Sequence, residues 1–90
     1  MADPSPTITI YTSAMCAYCG AAKNLLKSRG ASWNEVRVDL DRAKREEMLA
    51  RAKRTSVPQI FIGDLHVGGF DELAALDRKG ELASLLAAIS

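Results

Sequence analysis

The sequence predicts an α/β fold in which a four-stranded mixed sheet is flanked by helices. Short runs of alternating, mostly β-branched residues are separated by longer segments with helical spacing. Two of the apolar runs are joined by a Gly-Asp pair, which is typical of a tight hairpin. Strands joined by a helix pair in parallel and strands joined by a tight turn pair antiparallel, so the sheet should contain both kinds of pairing.

The first half of the chain predicts two strands with a helix between them. Thr7 to Thr12 alternates, with its isoleucines on one face, and is predicted as a strand. Helical spacing begins at Cys19 and ends before Gly30, which is expected to follow the helix C-terminus. Trp33 to Leu40 alternates again and should form a strand parallel to the first, with Leu40 on the same face as its two valines.

The second half predicts a helix, a hairpin and further helices. Arg42 to Lys53 is rich in strong helix formers, and Asp41 can cap it. Gln59 to Ile62 and Leu65 to Val67 are the two hairpin strands. Asp71 is expected to cap the next helix, and an apolar stripe after Gly80 marks a last one. This order of elements matches a thioredoxin-like fold.

Length and composition limit the classes of protein. Ninety residues fit one domain, 1–90, in which residues 1–6 are expected to form a loose leader. Twelve basic and eleven acidic residues give a net charge of +1, which argues against nucleic-acid binding. The chain shows neither a membrane-spanning apolar run nor a signal peptide. The expected setting is therefore the cytoplasm, where paired cysteines are more often catalytic or metal-binding than structural.

Cys16-Ala17-Tyr18-Cys19 follows the first strand and opens the first helix, as a redox motif does. The free N–H groups and partial positive charge of a helix start stabilise a thiolate. Cys16 at the helix start is therefore predicted to be the nucleophile and Cys19, one turn further in, the resolving cysteine. The reverse assignment is disfavoured because the sulfur of Cys19 should be more enclosed. Two inert core cysteines are an alternative, as is a structural zinc site, which needs four ligands.

Two further segments carry candidate binding groups. Pro58 in Thr55-Ser56-Val57-Pro58 precedes a strand, and taken alone it is an ordinary turn proline. Gly68-Gly69-Phe70-Asp71-Glu72 is either a simple turn and helix cap or a pocket for a carboxylate at the helix N-terminus. In the second case Asp71 could also bind an ammonium group, so that the pocket would suit an amino-acid-like end.

These three segments, in this order, resemble the glutaredoxins, particularly the bacterial class I dithiol members, and the similarity runs from Thr7 to Ile89. The thioredoxin-like context implies that Pro58 is cis and that Val57 offers its backbone N–H and C=O to a substrate. The resemblance implies an enzyme that uses glutathione to reduce protein–glutathione mixed disulfides and protein disulfides. It implies a monomer with no tightly bound cofactor. The residues implied to contact glutathione are Tyr18, Val57, Pro58, Gln59, Gly69, Phe70 and Asp71.

Within that set, the resemblance implies separate roles. Gly69, Phe70 and Asp71 would hold the γ-glutamyl end, and Gln59 would lie near the glycyl carboxylate. Val57 would pair with the cysteinyl backbone.

Two positions depart from the family pattern. Ala17 stands where the common motif has proline, and Ser13 stands where many members carry a lysine. Loss of that positive charge should slightly raise the pKa of Cys16 and weaken the binding of a carboxylate, unless Arg42 or Arg54 compensates. Members that lack the proline often hold a [2Fe–2S] cluster in a dimer, so Cys16 could ligate a cluster together with glutathione. A thioredoxin fed by a flavoprotein reductase is disfavoured because its motif usually begins with tryptophan.

Overall fold

A computed structural model describes residues 8–89 of the chain. The eight helices and strands in that range are β1 (Ile8–Thr12), α1 (Ala17–Ser28), β2 (Asn34–Arg37), α2 (Arg42–Ala52), β3 (Gln59–Ile62), β4 (Leu65–Gly68), α3 (Phe70–Arg78) and α4 (Glu81–Ile89). The predicted leader at 1–6 lies outside the described residues, so it stays a prediction.

The four strands form one mixed sheet in the order β2-β1-β3-β4. β1 pairs with β2 in parallel, with Thr12 opposite Arg37, and the other two pairings are antiparallel. The predicted sheet is therefore confirmed. Because β1 and β2 run the same way and β3 runs against them, the segment before β3 reaches the edge where β1 ends.

The two faces of the sheet are covered differently. One face packs against α1, α3 and α4 through an entirely apolar cluster, whose buried members are Ile8, Ile10, Ala22, Leu26, Ile60, Ile62, Leu73 and Leu82. The opposite face packs against α2 through Tyr11, Val38, Met48, Ala52 and Phe61. The alternation of β1 and β3 thus divides their side chains between two cores, as strand geometry requires.

Two predicted features are corrected by the structure. β2 ends at Arg37, and Leu40 is 73% exposed in a turn rather than packed beside the valines. The chain leaves the strand early because Asp39 bonds to the loop after β1 and Asp41 caps α2 through the Ala43 N–H, 2.9 Å away. The cap of α3 is Gly69 and not Asp71, which is the second residue of that helix.

Three connecting segments meet at the sheet edge where β1 ends. They are the β1–α1 loop with the paired cysteines, the segment that leads into β3, and the turn between β4 and α3. Within residues 8–89 no helix is both long and apolar enough to cross a membrane.

Candidate active site

Cys16 is the N-cap residue of α1, and its extended backbone (φ −110°, ψ 103°) places the side chain over the first helical turn. Its Sγ accepts a hydrogen bond from the backbone N–H of Cys19 at 3.1 Å. No acidic residue lies in that turn to oppose a negative charge on the sulfur. This is the position at which a helix N-terminus stabilises an anion.

Cys16 and Cys19 are joined by a disulfide, with their Cα atoms 5.2 Å apart. Cys19 is only 2% exposed, whereas Cys16 is partly exposed at the surface. A reactant from solvent can therefore reach the sulfur of Cys16 more readily than that of Cys19. The difference agrees with the sequence argument that the inner sulfur is the more enclosed.

The segment before β3 faces the paired cysteines. The Val57–Pro58 peptide is cis, as the thioredoxin-like context implied. The carbonyl oxygen of Val57 lies 3.8 Å from the Sγ of Cys16. Because β3 begins only at Gln59, the backbone of Val57 lies outside the strand ladder and next to the reactive sulfur.

A groove with a volume of about 230 Å³ runs from this segment to the start of α3. It is lined by Tyr18, Arg54, Ser56, Val57, Pro58, Gly69, Phe70, Asp71 and Glu72. The rings of Tyr18 and Phe70 are stacked across it with their centroids 6.2 Å apart. The structure thus brings six of the seven residues implied to contact glutathione into one groove.

The start of α3 supplies backbone donors to that groove. The carboxylate of Glu72 accepts the N–H of Gly69 at 2.6 Å and lies 3.7 Å from Arg54. The next N–H groups, those of Phe70 and Asp71, have no acceptor within the helix because they belong to its first turn. Two amide donors and the exposed carboxylate of Asp71 therefore stand together at one end of the groove.

Glycine is required at the turn before this helix. Gly68 has a φ of +116°, and a Cβ there would lie 2.7 Å from the Oε1 of Glu72. Any side chain would thus displace the carboxylate that holds the Gly69 N–H. The spacing of Gly69 and Glu72, which are the N-cap and third helical residue, is the sequence signal for this contact.

Gln59 is the predicted contact residue that lies elsewhere. It is fully buried, and its amide donates to the carbonyl of Ser56 at 3.0 Å and lies 2.8 Å from the Nε2 of His66. In β3 its side chain must point away from Ile60 and so towards the α2 face of the sheet. The side chain of Gln59 therefore does not line the groove.

A second anchor of the cysteine loop comes from the end of β2. Asp39 accepts the backbone N–H of Ala14 at 3.2 Å and two hydrogen bonds from Arg37 at 2.8 and 2.6 Å. The bonds from Arg37 are the main reason that the pKa of Asp39 falls to about 2. Nothing in the sequence marked this residue, since only the folded turn brings it to the loop.

Comparisons with known proteins agree with this geometry. A family profile described as glutaredoxin matches residues 8–67. The chain is 53% identical to Glutaredoxin 3 of Escherichia coli over 79 residues, which cover 88% of this chain and 95% of that relative.

Solved structures are similar along nearly the whole chain. The solution structure of glutaredoxin from Brucella melitensis matches with a TM-score of 0.79 and 46% identity, covering 91% of this chain and 89% of that one. The crystal structure of a buckwheat glutaredoxin–glutathione complex matches with a TM-score of 0.83 and 28% identity, covering 98% and 84%. The thioredoxin-like fold is confirmed. Since the family profile spans more than half of the chain, the chain belongs to the glutaredoxin family and is a thiol–disulfide oxidoreductase.

Proposed function

We propose that this protein uses glutathione to reduce protein–glutathione mixed disulfides and protein disulfides, with Cys16 as the nucleophile. The observation that carries the proposal is the position of the Cys16 sulfur, at the N-terminus of α1 and 3.8 Å from the Val57 carbonyl at one end of the groove. A thiolate at this position is stabilised by the helix and adjoins a binding surface for its partner.

Glutathione fits the groove by its chemistry. Its γ-glutamyl end carries an α-carboxylate and an α-ammonium, which match the N–H groups of Phe70 and Asp71 and the carboxylate of Asp71. Its cysteinyl backbone can pair with the N–H and C=O of Val57. The buckwheat relative that was solved with glutathione supports the same ligand for this chain.

Arg54 is the basic residue that we propose in place of the lysine absent at Ser13. Arg54 lines the groove, whereas Arg42 begins α2 and is not among the lining residues. A guanidinium there, 3.7 Å from the carboxylate of Glu72, can bind a carboxylate of glutathione. We assign no such role to Gln59, whose amide is already engaged inside the fold.

The reduction of a protein–glutathione mixed disulfide proceeds in two exchanges. The Cys16 thiolate attacks the glutathione sulfur, the disulfide to the protein breaks, and the protein leaves as a thiolate that takes a proton from solvent. A second glutathione thiolate then attacks the glutathione sulfur bound to Cys16. Oxidised glutathione leaves and the Cys16 thiolate is restored. One free glutathione sulfur is oxidised for each protein sulfur reduced, because the other glutathione sulfur was already part of a disulfide.

A protein disulfide requires both cysteines. Cys16 forms a mixed disulfide with one sulfur of the protein and releases the other as a thiolate. Cys19 then attacks Cys16, which frees the protein dithiol and leaves the Cys16–Cys19 disulfide. Two glutathiones reduce that disulfide in turn. We propose that the chain works as a monomer, because each exchange uses only the cysteines of one chain. We also propose the cytoplasm as its setting, because the cycle consumes reduced glutathione.

Binding of a [2Fe–2S] cluster stays a prediction from Ala17. Residues 8–89 contain no group of three or more histidine, cysteine, aspartate or glutamate side chains that could hold a metal ion. Cys16 would therefore supply one thiolate, and the remaining ligands would come from a second chain and from glutathione. Reconstitution with iron, sulfide and glutathione tests this: a coloured dimer supports the cluster, and a colourless monomer contradicts it.

Turnover of a glutathionylated protein by the wild type, Cys16→Ser and Cys19→Ser tests the proposed function. We expect Cys16→Ser to abolish deglutathionylation, because no thiolate remains to attack. Cys19→Ser should keep much of that activity but lose the reduction of an intramolecular protein disulfide. Near-full deglutathionylation by Cys16→Ser would contradict the assignment of the nucleophile.

A further inference from the structure

Two of the large apolar side chains that are exposed belong to the loop and helix start that carry Cys16, and a third lies in the turn after β2. In the part of the chain that the structure describes, these exposed side chains are Met15, Tyr18, Leu40 and Leu65, with exposed fractions of 102%, 63%, 73% and 48%. Tyr18 belongs to the groove, and Leu65 lies in the hairpin at the start of β4. Scattered exposed apolar residues are ordinary, but exposed apolar side chains gathered at one place mark an interaction site.

Met15 and Leu40 lie at the same edge of the sheet. The parallel strands β1 and β2 both end there, and the Val38 N–H bonds to the Thr12 carbonyl at 2.9 Å. Just beyond, the Ala14 N–H bonds to the Asp39 carboxylate at 3.2 Å. Met15 and Leu40 each follow a member of that last pair, so they lie on two turns that this hydrogen bond joins, and Met15 immediately precedes Cys16.

The backbone at Met15 is unusual for its residue type. Its φ is +59°, in the left-handed region where glycine and asparagine are the favoured residues. A fully exposed methionine at such a position makes no packing contribution to the core. Neither the turn nor the fold therefore explains an apolar side chain immediately before the nucleophile.

The strand order places the groove and these two side chains on opposite sides of Cys16. Cys16 follows β1, the groove is built from segments next to β3 and β4, and Leu40 follows β2. In the exchange reaction the protein sulfur leaves on the side of the glutathione sulfur away from Cys16, so the protein stands over the site and not inside the groove. Because a polypeptide is much larger than the groove, it can also reach the surface around Cys16.

We propose that Met15 and Leu40, here called the apolar rim, contact the polypeptide next to the glutathionylated cysteine of a protein substrate. The rim would favour cysteines flanked by aliphatic side chains. Methionine suits such a role because its flexible thioether adapts to partners of different shape. This inference rests on the proposed function and adds a preference for one class of protein substrate.

The test compares two glutathionylated peptides that differ only in having leucine or serine on both sides of the modified cysteine. A third substrate, the mixed disulfide of glutathione and free cysteine, has no polypeptide to contact the rim. The variants are the double substitution Met15→Gln with Leu40→Gln and, as a matched control, Leu65→Gln in the distant hairpin. Circular dichroism and denaturant unfolding confirm that each variant is folded.

We expect the wild type to prefer the leucine-flanked peptide by about fivefold in kcat/KM, less than an enclosed apolar pocket gives because the rim is exposed. The double variant should lose that preference and keep its rate with the small mixed disulfide, while Leu65→Gln should resemble the wild type. Equal rates of the wild type with both peptides would overturn the proposal that the apolar rim contacts the substrate. A preference that survives in the double variant would overturn it too. A double variant that slows equally with all three substrates would also overturn it. A wild type inactive with every substrate would instead refute the proposed function.

Discussion

On the β3–β4 side of Cys16 the chain offers backbone amides and charged groups, whereas on the β2 side it offers two exposed aliphatic side chains. The groove is enclosed by a cis-proline segment, a glycine turn and the start of a helix, which fix its shape. The rim consists of exposed side chains on turns. The contrast suits a reaction in which one partner, glutathione, never changes and the other, the protein, varies.

The groove side is tested most strongly by neutralising its exposed carboxylate. Asp71→Asn should lower kcat/KM by about fivefold with both glutathionylated peptides, because a solvent-exposed charge pair contributes up to about 1 kcal/mol. The loss should be equal for the leucine-flanked and serine-flanked peptides, since Asp71 is proposed to bind glutathione and not the protein. Steady-state kinetics measure both values.

The matched control for this variant is Asp64→Asn, which removes the same charge from the exposed turn between β3 and β4. It should leave both rates unchanged. If Asp71→Asn slowed one peptide and not the other, the proposal that the groove binds glutathione and the rim contacts the protein would be wrong.

The hydrogen bond that joins the two turns carrying the apolar rim is tested by Asp39→Asn. This change weakens the hydrogen bond from the Ala14 N–H and the ion pair with Arg37. Met15, the next residue after Ala14, should therefore be held less firmly in place. We expect about a twofold loss of the preference for the leucine-flanked peptide, smaller than the effect of deleting the rim itself. Asp77→Asn breaks a comparable pair with Arg29, at the far end of α1 from Cys16, and should leave the preference intact.

The same variant has a pH signature. Because the folded-state pKa of Asp39 is lowered from 3.8 to about 2, its carboxylate stabilises the fold above about pH 4 and loses that effect as the pH falls towards 2. Denaturant unfolding of Asp39→Asn should therefore show a shallower fall in stability over that range than the wild type. An identical pH dependence would show that the Arg37–Asp39 pair does not stabilise the folded state.

The sheet and its helices were predictable because they depend on local patterns. Alternation predicted β1 and β2. Two short apolar runs predicted β3 and β4, and the Gly63-Asp64 pair predicted the hairpin that joins them. The ends of strands were harder to predict. β2 stops just before Asp39, whose carboxylate accepts the Ala14 N–H from another loop. A contact between distant segments leaves no local mark in the sequence.

The segments that form the site were predictable, because each carries a recognisable sequence motif. The cysteine pair, Pro58 and the glycine turn all adjoin one groove because each follows or precedes a strand at the same sheet edge. Gln59 was misplaced, although the alternation that puts Ile60 on one face already requires its neighbour to face the other. Individual side-chain directions at a strand start depend on packing that only the fold supplies.

A polar contact on the α2 face shows the same limit. The hydroxyl of buried Tyr11 donates to Glu47 at 2.5 Å and accepts from Arg51 at 2.9 Å, and both of these partners are exposed. Burial and the bond to Glu47 raise the pKa of Tyr11, and that bond lowers the pKa of Glu47. Glu47 and Arg51 are four residues apart on α2, but nothing in the sequence indicates that Tyr11 joins them.

The central claim is that Cys16 holds glutathione in the groove, and one structure tests it directly. Treating Cys19→Ser with oxidised glutathione should trap a mixed disulfide, because the resolving thiol is absent. A crystal structure of that adduct should show glutathione bonded to Cys16, with its γ-glutamyl end at Phe70 and Asp71. Glutathione that is bonded to Cys16 but lies over Met15 and Leu40 would contradict the account.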